Sequence, residues 1–107
     1  MRIGIDIVDI DDFRDQLSKT SGGLAKKLFS ASELSDRSTQ SLAGIFAAKE
    51  AIIKTGLFTK GEWLKIKLAN DADGKPKLRN KLQAGTKLDI SISHTEKTAV
   101  AVAILHS

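Results

Sequence analysis

Two acidic residues stand within apolar surroundings, and they are the main chemical feature of the chain. Asp6 interrupts the strand-like run of residues 2 to 8, and Glu50 lies inside the helical run of residues 42 to 54. A carboxylate against a hydrophobic core is costly unless it is hydrogen-bonded, paired with a cation or bound to a metal. Mg²⁺ suits such a pair because it takes one or two carboxylates and completes its shell with water and substrate phosphates. The pair therefore predicts a metal site.

Each acid also has a simpler explanation. Glu50 precedes Lys54 by one helical turn, which is the spacing of an ordinary surface ion pair. Asp6 stands three residues before Asp9, where a helix is expected to begin, so its carboxylate could accept backbone N–H bonds from that helix. The sequence leaves both alternatives open.

Two further segments carry groups that could take part in chemistry, as a catalytic imidazole or as a phosphate-binding loop. His94 ends the run of residues 91 to 94, which places hydroxyl groups and an imidazole where a strand gives way to a turn. Such a histidine is either a structural hydrogen-bond partner or a functional group. The turn formed by residues 74 to 76 offers a glycine, a cation and a proline, although a plain hairpin explains it equally well.

Length and composition describe one globular domain over residues 1 to 107. The 41% hydrophobic and 28% charged content is that of a folded soluble protein, and zinc–thiolate, disulfide and thiol chemistry are excluded because there is no cysteine. No run approaches the roughly 20 apolar residues of a membrane span, and no signal peptide is recognisable. We therefore expect a cytoplasmic protein.

The charge balance favours an anionic partner. The net charge is +4, and the pI is near 9.5. With no tyrosine, one tryptophan and four phenylalanines, the chain lacks the stacking platform of single-strand binders, so nucleic acid is not expected as a partner. A phosphate compound or an acidic protein fits better.

The elements that must position these groups follow from periodicity. Residues 2 to 8 are apolar on both faces and predict a buried strand, with Asp6 directed to a covered face. A helix follows from Asp9, then a short helix over residues 24 to 29, a capping box over 30 to 33 and a loop over 35 to 41. An N-cap near residue 39 or 41 begins the central helix, which ends at about residue 55.

The second half of the chain predicts β structure. A strand over residues 63 to 69, a turn over 70 to 74 and a return strand over 77 to 82 form a hairpin. Strands over residues 88 to 94 and 98 to 104 follow, and the latter is apolar on both faces and so interior. The predicted fold is α+β, with a small, mostly antiparallel sheet packed on a long central helix.

In combination, these motifs resemble the holo-acyl-carrier-protein synthase family of 4′-phosphopantetheinyl transferases. The family pattern reads Gly-Ile-Asp-Ile-Val, then Phe-Ala-Ala-Lys-Glu-Ala with a lysine four residues beyond its glutamate, then Gly-Lys-Pro, then Ser-Ile-Ser-His. In this chain the pattern falls on residues 4 to 8, 46 to 51 with Lys54, 74 to 76 and 91 to 94.

The resemblance implies transfer of the phosphopantetheine arm of coenzyme A to a serine of an acyl carrier protein, with release of adenosine 3′,5′-bisphosphate. Asp6 and Glu50 would bind Mg²⁺ with the coenzyme A pyrophosphate, and Lys54 would stabilise pyrophosphate charge. Either Glu50 or a water that it orients would assist deprotonation of the serine. The residues that would contact the nucleotide are Gly74, Lys75, Pro76, Ser93 and His94.

The family also implies a homotrimer with coenzyme A bound between subunits. An acidic carrier protein would dock on a basic surface. The candidates for that surface are Arg14, Lys19, Lys26, Lys27 and Arg37. Two departures, Ile45 before the central motif and Asp12 on the first helix, replace basic residues that are usual in the family. They affect carrier preference and phosphate contacts, so we expect a specialised carrier; its pathway, whether fatty acid, polyketide or another, stays open.

Two other functions are compatible with the sequence. A non-catalytic binding subunit of the same fold would hold an acidic carrier protein without needing Mg²⁺. A small nucleic-acid-binding domain would show steep salt dependence. The missing aromatic platform makes that second alternative the weaker one.

Overall fold

The computed structural model describes residues 1–35 and 37–107 and confirms the α+β class. In chain order, the elements are β1 (Arg2–Asp9), α1 (Ile10–Ser18), α2 (Gly23–Leu28), α3 (Ala31–Leu34), α4 (Thr39–Lys54), a 3₁₀ turn (Trp63–Lys65), β2 (Leu68–Asn70), β3 (Pro76–Leu78), β4 (Lys87–His94) and β5 (Thr98–His106). The predicted loop over 35 to 41 contains Asp36, which lies outside the described residues. In the described part of the chain, no helix has the length and apolar character needed to cross a membrane.

Side-chain caps begin the helices close to where the sequence places them. The Asp9 carboxylate accepts from the Asp12 N–H at the start of α1, and Ser30 and Glu33 form the predicted capping box of α3. Ser38 caps α4 by accepting from the Ser41 N–H, so this helix begins slightly earlier than predicted.

The main sheet has three antiparallel strands in the order β1-β5-β4, and β5 is the interior strand, as predicted. The helix α4 packs on one face of this sheet, where small side chains allow close contact. The fully buried alanines at this contact are Ala47, Ala48 and Ala51 from α4 and Ala99, Ala101 and Ala103 from β5. A separate two-stranded sheet pairs β2 with β3.

The closest approach between β1 and α4 requires a glycine. A Cβ atom at Gly4 would overlap the carbonyl oxygen of Ala51, which belongs to the α4 backbone and has no room to move. Because Asp6 follows Gly4 on β1 and Glu50 precedes Ala51 on α4, this contact also brings the two acids together.

We therefore expect Gly4→Ala to lower the free energy of unfolding by about 3 kcal/mol, the upper range for overpacking. Gly23→Ala in α2 is the matched control, because the nearest atom to its added Cβ is the Thr20 Cβ at 3.7 Å. That change should be neutral or slightly stabilising. Urea unfolding of both variants measures the difference, and equal midpoints would contradict the close contact.

One prediction about β1 is wrong, because only one face of this strand is buried. Gly4 and Val8 face the core, whereas Ile3, Ile5 and Ile7 are 62%, 57% and 71% exposed. The reason is that α4 covers one face of the sheet and no described element covers the other. Asp6 does point to the covered side, with 18% of its side chain exposed.

The predicted hairpin after α4 is also shorter than expected. Residues 63 to 65 form a 3₁₀ turn, β2 begins only at Leu68, and β3 spans Pro76–Leu78 instead of residues 77 to 82. The Asn80 side chain accepts from the Lys67 N–H at 2.8 Å and donates to the Lys65 carbonyl at 2.7 Å. These hydrogen bonds use the Lys67 N–H and the Lys65 carbonyl, which a longer β2 strand would need for pairing with β3.

Candidate functional site

The two acids line the same cavity, which has a volume of about 260 Å³. Asp6 is carried by β1, and Glu50 is carried by α4 one turn after Phe46, which also lines the cavity. The start of α1 completes the wall with Asp9, Asp12, Phe13 and Gln16. This cavity, called the acidic cavity below, therefore joins strand, central helix and first helix.

Lys54 contacts Asp6 and not Glu50. Its Nζ donates to the Asp6 Oδ1 at 3.1 Å and to the Ile5 carbonyl at 2.8 Å. Among the described residues, Glu50 makes no ion pair. The surface Glu50–Lys54 pair that the sequence left open is therefore not formed, and the Glu50 carboxylate is available to another cation.

The donor set of the acidic cavity fits Mg²⁺. The cavity offers hard carboxylate oxygens from Asp6 and Glu50, and within residues 1–35 and 37–107 no group of three or more His, Cys, Asp or Glu side chains gathers in metal-binding geometry. Two carboxylates with the remaining positions left to water and phosphate match the usual way in which proteins bind this ion. A site built for an all-protein cage would need more ligands.

Three of the five nucleotide-binding candidates line a second cavity, which has a volume of about 190 Å³. Gly74, Pro76 and His94 all line it, together with residues of β2 and α4. Lys75 and Ser93 do not line it. On β4, Ile92 and His94 face this cavity, and strand alternation places Ser93 on the opposite face of the sheet. We call this second cavity the basic cavity, because its charged lining residue is Arg37.

The turn at the mouth of the basic cavity is held by Asp71. The Asp71 Oδ1 accepts from the N–H groups of Asp73 and Lys75, at 2.9 and 3.0 Å. Gly74 has a φ of +82°, which favours glycine at this position. The His94 Nδ1 lies 3.3 Å from the Thr95 carbonyl, so the opposite ring nitrogen is the one left for a ligand.

Several lining residues were not anticipated from the sequence. Arg37, predicted as part of the carrier-binding surface, lies in the basic cavity and donates to the Ser41 Oγ at 3.2 Å. Gln40, Ser41 and Asn70 line the same cavity. No sequence motif marks these residues. The only sequence signal for an anion site is that Arg37 stands beside the hydroxyl residues Ser38 and Ser41 at the start of α4.

The central helix separates the two cavities. Asp6 pairs across the sheet with Ala101, which pairs with Ile92 in turn, so Asp6 and Ile92 are two strands apart, or about 10 Å. All three side chains face α4, and Ala101 lies beneath it. The cavities share no lining residue. One chain therefore presents its acids on one side of α4 and its His94 on the other.

Four of the predicted carrier-binding residues stay on the surface around α1 and α2. Arg14 forms an exposed ion pair with Asp11 at 2.9 Å, which occupies its guanidinium. Lys19, Lys26 and Lys27 are exposed. Asp12, in contrast, lies at the wall of the acidic cavity, so the entrance of that cavity is acidic on the side of α1.

Comparison with known proteins identifies the family. Residues 2–104 match the 4′-phosphopantetheinyl transferase superfamily. A holo-[acyl-carrier-protein] synthase of Nautilia profundicola is 38% identical, and the alignment covers 96% of this chain and 97% of that relative.

Solved structures agree with the sequence match. The holo-(acyl-carrier-protein) synthase of Bacillus anthracis in complex with CoA (3′,5′-ADP) is 30% identical with a TM-score of 0.81, covering 99% of this chain and 96% of that one. The Helicobacter pylori synthase in complex with coenzyme A is 29% identical with a TM-score of 0.80, covering 96% and 98%. The chain therefore belongs to the 4′-phosphopantetheinyl transferase superfamily.

Proposed function

We propose that this protein transfers the 4′-phosphopantetheine group of coenzyme A to a serine of an apo acyl carrier protein, with release of adenosine 3′,5′-bisphosphate. The observation that carries the proposal is the placement of Asp6 and Glu50 in one cavity of a chain whose relatives are holo-acyl-carrier-protein synthases. Two synthases of the same fold were solved with coenzyme A or its nucleotide part. We place this reaction in the cytoplasm.

The acidic cavity is the centre of the reaction in this proposal. Asp6 and Glu50 would hold Mg²⁺, which when bound supplies positive charge to the pyrophosphate and its leaving group. Lys54, kept beside Asp6 by its bond to the Ile5 carbonyl, adds a second cation for the pyrophosphate. Glu50, directly or through an oriented water, accepts the proton of the carrier serine.

The nucleotide end of coenzyme A belongs in a basic cavity. Arg37 supplies charge for a phosphate there, and His94 supplies a ring nitrogen. Because α4 separates this cavity from the acids of the same chain, one coenzyme A molecule would reach both kinds of group where two subunits meet.

We propose that the protein forms the homotrimer that its family resemblance implies. The separation of the two cavities and the uncovered sheet face both support an assembly of several subunits. The outer face of the main sheet exposes Ile3, Ile5 and Ile7. Beside them on β5, the half-buried side chains of Val100, Val102 and Ile104 alternate with the core-facing alanines. A continuous apolar face made of six large side chains typically marks a protein–protein interface.

The carrier protein would dock beside the acidic cavity, on the surface of α1 and α2. Lys19, Lys26 and Lys27 provide exposed cations for an acidic partner. Because Asp12 stands at the entrance of the cavity, the segment of the carrier next to its serine should not itself be strongly acidic. This combination supports a specialised carrier protein.

A direct assay tests the proposal. The protein is incubated with coenzyme A, MgCl₂ and a panel of purified apo carrier proteins, and intact-mass spectrometry follows addition of the phosphopantetheine group. We expect modification of at least one carrier, with loss of the reaction in EDTA. Carrier binding that is indifferent to both MgCl₂ and coenzyme A, without any mass change, would favour the non-catalytic binding subunit instead.

A further inference from the structure

A buried ion pair lies behind the proposed site and is not part of either cavity. The Lys49 side chain on α4 is fully buried, and its partner Glu33 on α3 is 2% exposed. The Lys49 Nζ donates to the Glu33 Oε1 at 2.7 Å, to the Leu28 carbonyl at 2.7 Å and to the Trp63 carbonyl at 2.9 Å. All three hydrogens of the ammonium group are thus used.

The Glu33 carboxylate is equally well satisfied and extends the network to the β2–β3 sheet. Its Oε1 also accepts from the Ser30 N–H, and its Oε2 accepts from the Leu68 N–H at 3.1 Å. Loss of hydration lowers the pKa of Lys49, and the hydrogen bond to Glu33 opposes that shift. Burial of such a pair costs free energy that its hydrogen bonds must offset, so it is weak evidence for a purely stabilising role.

Both ends of this network lead directly to residues of the proposed site. Lys49 immediately precedes Glu50, which lines the acidic cavity. Leu68 itself lines the basic cavity, as do the next two residues of β2. The pair therefore connects, inside one chain, the elements that line the acidic cavity and the basic cavity. These two cavities are called the two half-sites below.

We propose that Lys49 and Glu33 are positioning residues that set both half-sites of the transferase at once. This inference rests on the proposed function. Successive residues of an α-helix project about 100° apart, so the bonds that hold Lys49 in the core also set the rotation of α4 that turns Glu50 to its cavity. The Glu33–Leu68 bond holds β2 against the same network, which sets the wall of the basic cavity. Apolar residues would fill this space without these directional bonds.

The decisive variant is Lys49→Met/Glu33→Gln, which removes both charges together. A single Lys49→Met change would leave the Glu33 charge buried without its cation and is expected to unfold the protein. In the double variant, the glutamine has no cation to hold its orientation, so its bond with the Leu68 N–H is no longer fixed in one geometry. The matched control is Lys65→Met/Glu62→Gln, which removes an ion pair of the same type at 2.6 Å on the surface.

We expect the double variant to fold by circular dichroism but to lose function in both half-sites. For the basic cavity, the KM for coenzyme A and its calorimetric Kd in MgCl₂ should each rise about tenfold or more. For the acidic cavity, the MgCl₂ concentration that gives half the maximal rate should rise, and kcat should fall. A pair that only stabilises the fold would lower the melting temperature and leave these constants unchanged at a temperature well below it. The surface control should match the wild type.

The failure of this inference is distinguishable from failure of the proposed function. If the wild type neither binds coenzyme A nor modifies a carrier, both the proposed function and this inference are wrong. If the wild type is active and the double variant shows the wild-type KM, Kd and Mg²⁺ requirement within twofold, the positioning role is overturned. Should the double variant not fold, Lys49→Arg decides, because it keeps a cation beside Glu33 but cannot place one nitrogen against the Leu28 and Trp63 carbonyls and the carboxylate together. Unchanged constants in a folded Lys49→Arg variant overturn the role as well.

Discussion

Asp6→Asn and Glu50→Gln should each lower kcat/KM for phosphopantetheine transfer by about 10²-fold or more, which is the scale for losing a group that stabilises transition-state charge. Both changes keep the size of the side chain and remove one negative charge from the acidic cavity. Asp6→Asn also removes the anion that pairs with the Lys54 Nζ at 3.1 Å. Weaker Mg²⁺ binding is the physical reason for the loss, so a higher MgCl₂ concentration should restore part of the rate.

The control for this experiment is Glu62→Gln, an amide replacement of a carboxylate that lines neither cavity. Glu62 pairs with Lys65, and hydrogen bonds from Lys65 and the Thr59 N–H lower the pKa of its carboxyl. Its replacement should leave the transfer rate unchanged. If Asp6→Asn and Glu50→Gln keep wild-type rates and the wild-type MgCl₂ dependence, the acids do not hold the metal and the proposed site is wrong.

The second large effect is expected from Ile5→Glu on the uncovered sheet face. Ile5 is 57% exposed in the single chain and stands at the centre of the apolar face on β1. An unpaired carboxylate buried between subunits would cost several kcal/mol per site, so the oligomer should dissociate. Because the proposed active site needs the acids of one subunit and the basic cavity of another, transfer activity should be lost with it.

Sedimentation velocity and the transfer assay on the same samples measure both consequences. The matched control is Leu64→Glu, since Leu64 is 44% exposed on the 3₁₀ turn and away from the sheet face. The control should keep the wild-type mass and activity. A wild type that sediments as a monomer while fully active, or an Ile5→Glu variant that is monomeric and fully active, would contradict an active site shared between subunits.

The elements that the sequence predicted best are those whose pattern is local. The central helix is apolar with a clear cap and a terminating glycine, and β5 is apolar on both faces, which correctly predicted its central place in the sheet. The prediction that both faces of β1 are buried was wrong because α4 covers only one face of the sheet. Apolar periodicity shows that a face is apolar, but it does not show whether the chain covers that face.

In the candidate site, too, some features follow from local sequence patterns and others only from contacts between distant residues. Asp6 and Glu50 were identified as candidates from their types and spacing, whereas the roles of Lys54, Gly74 and His94 were predicted from the resemblance to the family. The role of Asn80 in ending the hairpin, by contrast, depends on hydrogen bonds across 13 and 15 residues. Lys49 carries no sign of its burial either, since a lysine in an amphipathic helix is ordinarily exposed.

The sequence alone indicated a candidate oxygen-ligand metal site, because carboxylates within apolar runs are costly wherever the chain places them, and the order of its motifs indicated the family. Only the three-dimensional arrangement decided that Lys54 bonds to Asp6 and not to Glu50, that Arg37 lines the basic cavity, and that α4 separates the two cavities. These outcomes depend on contacts between residues far apart in the chain, and local patterns carry no information on such contacts.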